Sequence, residues 1–238
     1  MISRSHRFFD KFSEGYREKA TADVLYREMK PIVLPREGKK VLDIGNGGVD
    51  VFLSSRADFY VGLDLSLEML RKAKGGNIHL VCGDALSLPF KKQVFNTVLY
   101  SSILHHLTGR KVKDTILRVK AALREAHRCL DEEGNALIIE SCLPLFFETM
   151  ERLSFQFLKI FSFLTGQPEA LLFSEETLGK IMKDCGYGEV KCYEVNPEEK
   201  KPWEWITLFM SLPFLKVPKI FVPAKWIVLE GQKHDERG

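Results

Sequence analysis

The stretch VLDIGNGG, residues 41–48, constrains this chain more than any other. An apolar, strand-like run carries an acid at its tip, Asp43, and opens at once into a turn containing Gly45, Gly47 and Gly48. A strand that stops in a glycine-rich turn leaves backbone N–H groups free and lets a ligand come close to the main chain. The acid adds a fixed negative charge at that point. Together they call for a nucleotide-like ligand that also carries a cation. Taken alone, Asp43 has a plainer but less favoured reading as a turn former or a helix cap.

The rest of the chain supplies a frame for such a turn. Short apolar runs at 41–44, 59–63, 78–82, 94–100 and 135–140 read as strands, and continuous runs of this kind are buried on both faces. Between them lie helical segments: a preamble over 8–30 with Phe8, Phe9, Phe12 and Tyr16 at helical spacing, LEMLRKAK behind a capping Ser66, and a long helix over 111–130 closed by a turn at Gly134. Ser174 opens a further helix that stops at Gly186, followed by strands near 189–195 and 225–231. Alternation of strands and helices predicts an α/β fold with a doubly wound, mostly parallel sheet. Ligands bind such sheets at the carboxyl ends of the strands, and Asp43, Asp64, Asp84, Ser101 and Glu140 all fall there.

The spacing of these acids suggests one shared ligand. Asp64 lies about twenty residues past the glycine turn, where an acid accepts both ribose hydroxyls of an adenosine. NAD-binding folds use the same acid, but their GxGxxG loop places a third glycine where this chain has Asp50. A carboxylate there would repel a pyrophosphate seated at a helix N-terminus. Asp43 suits an ammonium group better than a phosphate. The balance therefore points to S-adenosylmethionine, which joins an adenosine to a sulfonium and an amino-acid end.

Composition excludes several other classes. The 238 residues are 45% hydrophobic, enough for one α/β domain. The net charge of +3, from 35 basic and 32 acidic residues without a dense basic patch, gives no reason to expect nucleic acid. Five scattered cysteines without CxxC spacing argue against a metal site or a disulfide framework and fit a cytoplasmic setting. The first residues, MISRSHRFFDKF, lack the apolar core of a signal peptide, and no apolar run is long enough to span a bilayer.

Five segments carry a family resemblance. VLDIGNGG, YVGLDLSLEML, VCGDALSLPF, FNTVLYSSILHHL and LREAHRCLDEEGNALI stand in the order and spacing of the motifs of class I S-adenosylmethionine-dependent methyltransferases. The chain resembles in particular the small-molecule group that includes the quinone-biosynthesis C-methyltransferases. The resemblance covers about residues 8–142 and, more loosely, continues to 195. It implies a Rossmann-like single domain over 1–238 with an antiparallel last strand, an N-terminal helical cap over 1–30, and S-adenosylhomocysteine as product. It further implies that Asp43, Gly45, Asn46 and Gly47 line the methionine end of the cofactor and that Asp64 holds the ribose. Leu65 and Met69 would flank the adenine, Asp84 and Ala85 would meet its amino edge, and Ser101 would lie near the sulfonium. Tyr16 would close over the cofactor. The chain departs from the pattern at Val49, where a third glycine is usual, at Asn46 in place of Cys or Ser, and at Asn96 in place of Asp.

Methyl transfer from a sulfonium asks mainly for positioning and desolvation. A base is needed only where the acceptor must lose a proton, and His105, His106 and Glu140 are the candidates, with packing or capping as their plainer roles. After the fifth strand, Phe146, Phe147, Met150, Leu153, Phe157 and Phe161 fall on one helical stripe, which reads first as core against the sheet. Segments 143–172 and 196–224 are candidate substrate-cap insertions. The second holds Trp203, Trp205, Phe209, Met210, Phe214 and Phe221 between prolines. An apolar substrate cavity, a peripheral membrane contact aided by Lys216 and Lys219, and a homodimer interface all remain open for them. The leading expectation is a methyltransferase, monomeric or homodimeric, acting on a small apolar or lipid-like acceptor. A cofactor-binding protein without turnover, an NAD-dependent enzyme and a protein or tRNA methyltransferase are the alternatives.

Overall fold

The computed structural model describes residues 8–11, 13, 24–73, 78–195, 205–207, 216–218 and 224–234. A helical stretch at 8–11 precedes α1 (Val24–Val33), β1 (Lys40–Ile44), β2 (Phe59–Asp64), α2 (Leu67–Arg71), β3 (His79–Cys82) and β4 (Phe95–Ser101). A 3₁₀ turn, Leu104–His106, leads to α3 (Val112–Cys129), β5 (Leu130–Cys142), α4 (Leu145–Thr165), α5 (Glu175–Lys183) and β6 (Tyr187–Val195). The short strands β7 (Trp205–Thr207) and β8 (Lys216–Pro218) pair with each other, and β9 (Lys225–Lys233) ends the series.

Seven strands form one sheet in the order β3-β2-β1-β4-β5-β9-β6. The five strands from β3 to β5 are parallel, and β9 inserts antiparallel between β5 and β6. This is the expected doubly wound, mostly parallel sheet with an antiparallel last strand. Alternation sorts the side chains into two cores. Leu42, Ile44, Val98, Tyr100 and Ile138 pack with α3 and α5, whereas Val41, Leu99, Leu137 and Ile139 pack with α1 and Val49, Val51 and Phe52. Burying each such side chain contributes about 1.5–3 kcal/mol, which is what holds both helical layers to the sheet.

Several local expectations hold. Ser66 Oγ accepts from Met69 N at 3.1 Å and caps α2, Ser174 Oγ accepts from Thr177 N at 3.2 Å and caps α5, and Gly186 takes a φ of +93° just beyond α5. Others change. Gly134 lies inside β5, which begins directly at Leu130, because β5 pairs with β4 through an irregularity between Phe95 and Thr97. Asn96 fills that irregularity: its amide donates to Asp131 and its oxygen accepts from Lys40 N at 2.9 Å. An aspartate there would face the Asp131 carboxylate. The apolar stripe on α4 points outward rather than into the sheet. The buried face of α4 carries Glu148, Glu151, Phe155, Leu158 and Ser162, because backbone amides and hydroxyls of 172–177 claim the two acids. Of the N-terminal preamble, Phe12 and Tyr16 lie outside the described residues, as do Trp203, Phe209, Met210, Phe214, Lys219 and Phe221 and the side chains of Trp205 and Lys216. Among the described residues, no helix is long and apolar enough to cross a membrane.

Candidate functional site

The strand order reverses between β1 and β4, so a crevice opens at their carboxyl ends. The chain leaves β1 through Gly45, whose N–H donates to Leu63 O at 2.8 Å and whose φ is +77°. A Cβ at Gly45 would stand 2.8 Å from the Ile103 Cβ, so only glycine lets the turn lie against the segment after β4. Gly48 is the second tight point. It has φ +76°, and a Cβ would reach the Ala73 Cβ at 2.6 Å. Val49 meanwhile buries its side chain in the α1-side core. The close-packing glycine of the loop is thus supplied one residue earlier than the family pattern has it. Residues 49–57 form turns, not a helix. The repulsion expected of Asp50 at a helix N-terminus therefore has no helix to act on, and Asp50 does not by itself discriminate between ligands.

Asp43 is 2% exposed. One carboxylate oxygen accepts from Ser101 Oγ at 2.8 Å; the other accepts from Asn46 Nδ2 at 2.6 Å and Tyr60 Oη at 2.9 Å. Burial raises its pKa to about 6, and these three donors limit the rise. Asn46 Nδ2 also donates to Val49 O at 2.6 Å and so braces the loop. Glu37 lies below, its pKa pushed to about 8 by burial and by the charge of Asp43.

Asp64 ties the neighbouring tips together. Its carboxylate accepts from Gly47 N at 2.9 Å and from Ser66 N at 2.8 Å, and its carbonyl accepts from Gly83 N at 2.9 Å. Leu65 is exposed beside it, whereas Met69 and Ala85 are buried. Asp84 is exposed and accepts from Leu86 N at 2.9 Å in its own turn. The N-terminal stretch reaches across this end of the sheet: Ser66 Oγ donates to Asp10 at 2.5 Å, and Phe9 sits edge-on to His106 at 5.0 Å.

On the β4 side, Ser102 follows Ser101 with φ +57°, and its buried hydroxyl has no hydrogen-bond partner. A strained non-glycine residue with an unmatched buried donor is costly and marks a place prepared for something else. Glu140 pairs with His105, not His106. Its two oxygens hold Leu104 N at 2.7 Å and His105 Nδ1 at 2.6 Å. Burial alone would lower the pKa of His105, but the adjacent charge and hydrogen bond of Glu140, aided by Glu151, raise it. His106 donates from Nδ1 to Glu169 O at 3.1 Å, and burial together with its neighbour His105 holds its pKa well below the usual value. Glu151, on the inner face of α4, has a pKa near 8 because it is buried.

The structure thus brings Asp43, Asn46, Gly47, Asp64 and Ser101 into one hydrogen-bonded rim, with His105, His106 and Glu140 as a second group. Sequence reasoning missed Tyr60, Ser102 and Glu151. Only the doubled serine after β4 hinted at Ser102. Tyr60 figured only as part of the 59–63 strand, and Glu151 only as part of the 143–172 segment.

Residues 42–138 match a family model described as a methyltransferase domain. Over 205 residues the chain is 30% identical to the demethylmenaquinone methyltransferase of Corynebacterium kroppenstedtii, covering 77% of this chain and 86% of that protein. The chain belongs to the class I S-adenosylmethionine-dependent methyltransferases. Two solved structures show the methyltransferase fold at low identity. One comes from a Haloferax volcanii complex between the Trm112 methyltransferase activator and a methyltransferase, with a TM-score of 0.71, 14% identity, and 98% and 99% of the two chains covered. The other is the Burkholderia thailandensis 1,6-didemethyltoxoflavin-N1-methyltransferase with bound 1,6-didemethyltoxoflavin and S-adenosylhomocysteine. Its TM-score is 0.61 at 15% identity, with 99% and 92% covered. The cofactor of this methyltransferase is accordingly S-adenosylmethionine. The crevice fits such a group: a glycine turn pressed against the segment after β4, two acids at adjacent strand tips, and the unmatched Ser102 hydroxyl.

Proposed function

We propose that this methyltransferase acts on a small, apolar, lipid-like acceptor. The reading rests on the arrangement at the carboxyl ends of β1, β2 and β4. The acids stand at the tips of β1 and β2, and in the segment after β4 the His106 ring lies 4.1 Å from His105 and edge-on to Phe9 at 5.0 Å. The likeness to a demethylmenaquinone methyltransferase supports it.

In this reading Asp64 receives the ribose hydroxyls, with Leu65 and Met69 beside the adenine and Asp84 and Ala85 at its amino edge. Asp43, Gly45, Asn46 and Gly47 hold the methionine end. Asp43 acts through its charge, which a nearby cation favours over the protonated form. Ser101 lies towards the sulfonium, and Tyr16 closes over the site from the N-terminal cap. S-adenosylmethionine, when bound, supplies a methyl group already activated for displacement. The chain contributes orientation, exclusion of water and a place for the acceptor's proton. Glu140 keeps His105 oriented and stabilises its charged form, so that pair can take up a proton. His106, held neutral, shapes the wall beside Phe9 and is the weaker base. The 143–172 and 196–224 segments cap the acceptor.

The test is S-adenosylhomocysteine production over a panel of quinols, phenolic lipids and hydrophilic amines, with cofactor affinity measured by calorimetry. Turnover on the apolar members is expected, with Glu140→Gln lowering turnover about 10²–10⁴-fold at unchanged cofactor affinity. Turnover confined to hydrophilic acceptors would reject the acceptor class. Cofactor binding without turnover on any member would leave a binding protein.

A further inference from the structure

Helix α4 is inverted relative to a surface helix of ordinary composition. At about 100° per residue, Phe146, Leu153, Phe157, Ile160 and Leu164 share one stripe, and all five are exposed. Leu153 is 85% exposed, Phe146 69% and Leu164 68%. The opposite stripe buries both acids of the helix, Glu148 and Glu151. Exposing so much contiguous apolar surface to water is unfavourable unless it has a use.

The charges around the stripe select its occupant. With both acids turned inward, the outward half of α4 presents no carboxylate. Arg152 and Lys159 lie along one flank, each ion-paired with a carboxylate, Arg152 with Glu148 and Lys159 with Glu169 at 2.9 Å, and the positive charge turned to solvent comes from the loop carrying Arg110, Lys111 and Lys113, which is fastened to that flank. Gln156 Nε2 donates to Arg110 O at 2.8 Å and Lys159 Nζ to Gly109 O at 2.7 Å. The side chains of Arg110, Lys111 and Lys113 are exposed; of the nearby acids, Asp114 turns its carboxylate to Lys111 N at 3.0 Å and Glu169 is taken up by Lys159 Nζ at 2.9 Å and Thr108 Oγ1 at 3.3 Å. An apolar stripe edged by cations is the pattern of a helix lying in the plane of an anionic bilayer surface. The four charged residues of α4 rule out crossing.

We infer that α4 docks this methyltransferase onto anionic lipid, with Phe146, Leu153, Phe157, Ile160 and Leu164 in the headgroup–acyl boundary and Arg110, Lys111 and Lys113 against lipid phosphates. The inner face of the same helix places Glu151 near His105, so the docked helix separates lipid from the candidate site by its own width. Docking does not depend on the acceptor being apolar, so either reading can fail alone.

The test uses the full chain and vesicles of phosphatidylcholine, with or without phosphatidylglycerol, in a flotation assay at low and high salt. Binding to the phosphatidylglycerol vesicles that weakens with salt is expected. Leu153→Glu and Phe157→Glu should each lower the partition coefficient about tenfold or more, with unchanged melting temperature, and Lys111→Glu with Lys113→Glu should remove the salt dependence. Absence of vesicle binding by the parent chain would overturn the inference, as would equal binding by the Leu153→Glu variant. A parent dimer that Leu153→Glu dissociates, or a melting temperature that falls in this variant, would assign the stripe to a second copy or to the protein's own interior.

Discussion

Replacing Asp64 by alanine separates a structural carboxylate from a cofactor ligand. In the structure the group accepts from Gly47 N at 2.9 Å and Ser66 N at 2.8 Å, linking the glycine turn to the cap of α2. A hydrogen bond to a charged group is worth about 1.5–3 kcal/mol. Asp64 is partly exposed, so water replaces some of what is lost, and the cost to folding should be about 2 kcal/mol. For a chain of this length that is a fall of roughly 4–8 °C in melting temperature. If two ribose hydroxyls also donate to the same carboxylate, binding loses a further 3–5 kcal/mol or so. That is roughly a hundred- to four-thousand-fold in Kd for S-adenosylhomocysteine. Differential scanning fluorimetry gives the first quantity and isothermal calorimetry the second. Asp64→Asn, which keeps one acceptor oxygen and the side chain's size, should fall between. If Asp64→Ala melts lower yet binds S-adenosylhomocysteine as tightly as the parent, the carboxylate only braces the turn and the ribose assignment is wrong.

Gly48→Ala should cost about 2–3 kcal/mol in denaturant unfolding, because a Cβ there meets Ala73 at 2.6 Å and must hold φ +76°. Val49→Gly, although it restores the usual third glycine, should cost about 1–3 kcal/mol by emptying a buried site; a tighter cofactor Kd in that variant would contradict the role given to Gly48. Stability should fall as pH rises from 6.5 to about 8. Glu37 and Glu151 titrate near 8 in the folded protein and near 4.5 when unfolded, so over that window the folded state holds more protons. The raised pKa of His105 acts in the same direction. Each carboxyl contributes on the order of 2 kcal/mol across the window, read from urea midpoints at fixed pH. A flat profile, or one that Glu37→Gln and Glu151→Gln leave unchanged, would refute the assignment.

The inner sheet was legible because β1, β2 and β4, buried on both faces, wrote themselves as continuous apolar runs: 41–44, 59–63 and 94–100 match them within a residue or so. The acids of the site were legible for a related reason. A strand fixes where its tip lies, and Asp43 and Asp64 sit at tips. What the pattern could not show is which groups those acids serve in the fold itself. Asp43 is shared among Ser101, Asn46 and Tyr60, and Asp64 between two amides, by contacts that span up to 58 residues. Val49 and Gly48 illustrate the same limit. A motif compares position with position, whereas the close approach to Ala73 needs only that some residue of the turn lack a Cβ. The irregular pairing at Gly134 likewise arises from Asn96 and Asp131 on neighbouring strands, which no local window joins.

Helix α4 marks the deeper boundary of pattern reading. Its periodicity identified one apolar stripe correctly, yet a period gives a face and not the side on which that face lies. The sign is set by competition for the interior. Outward acids would have left the buried amide of Ser174 and the half-buried amide of Leu172 and hydroxyl of Thr177 without these acceptors, at up to about 1–3 kcal/mol each. Turning Glu148 and Glu151 inward satisfies all three donors but commits two carboxyls to the interior, and Glu151 answers by holding its proton up to about pH 8. The apolar stripe is then forced outward by the polar one. A surface that hydrophobicity alone would have buried is thus presented to solvent by hydrogen bonds made 21 to 29 residues away. Glu148→Leu with Glu151→Leu should remove that constraint. The three donors would lose their acceptors, and the helix would gain apolar residues on both sides with nothing left to fix which one faces in.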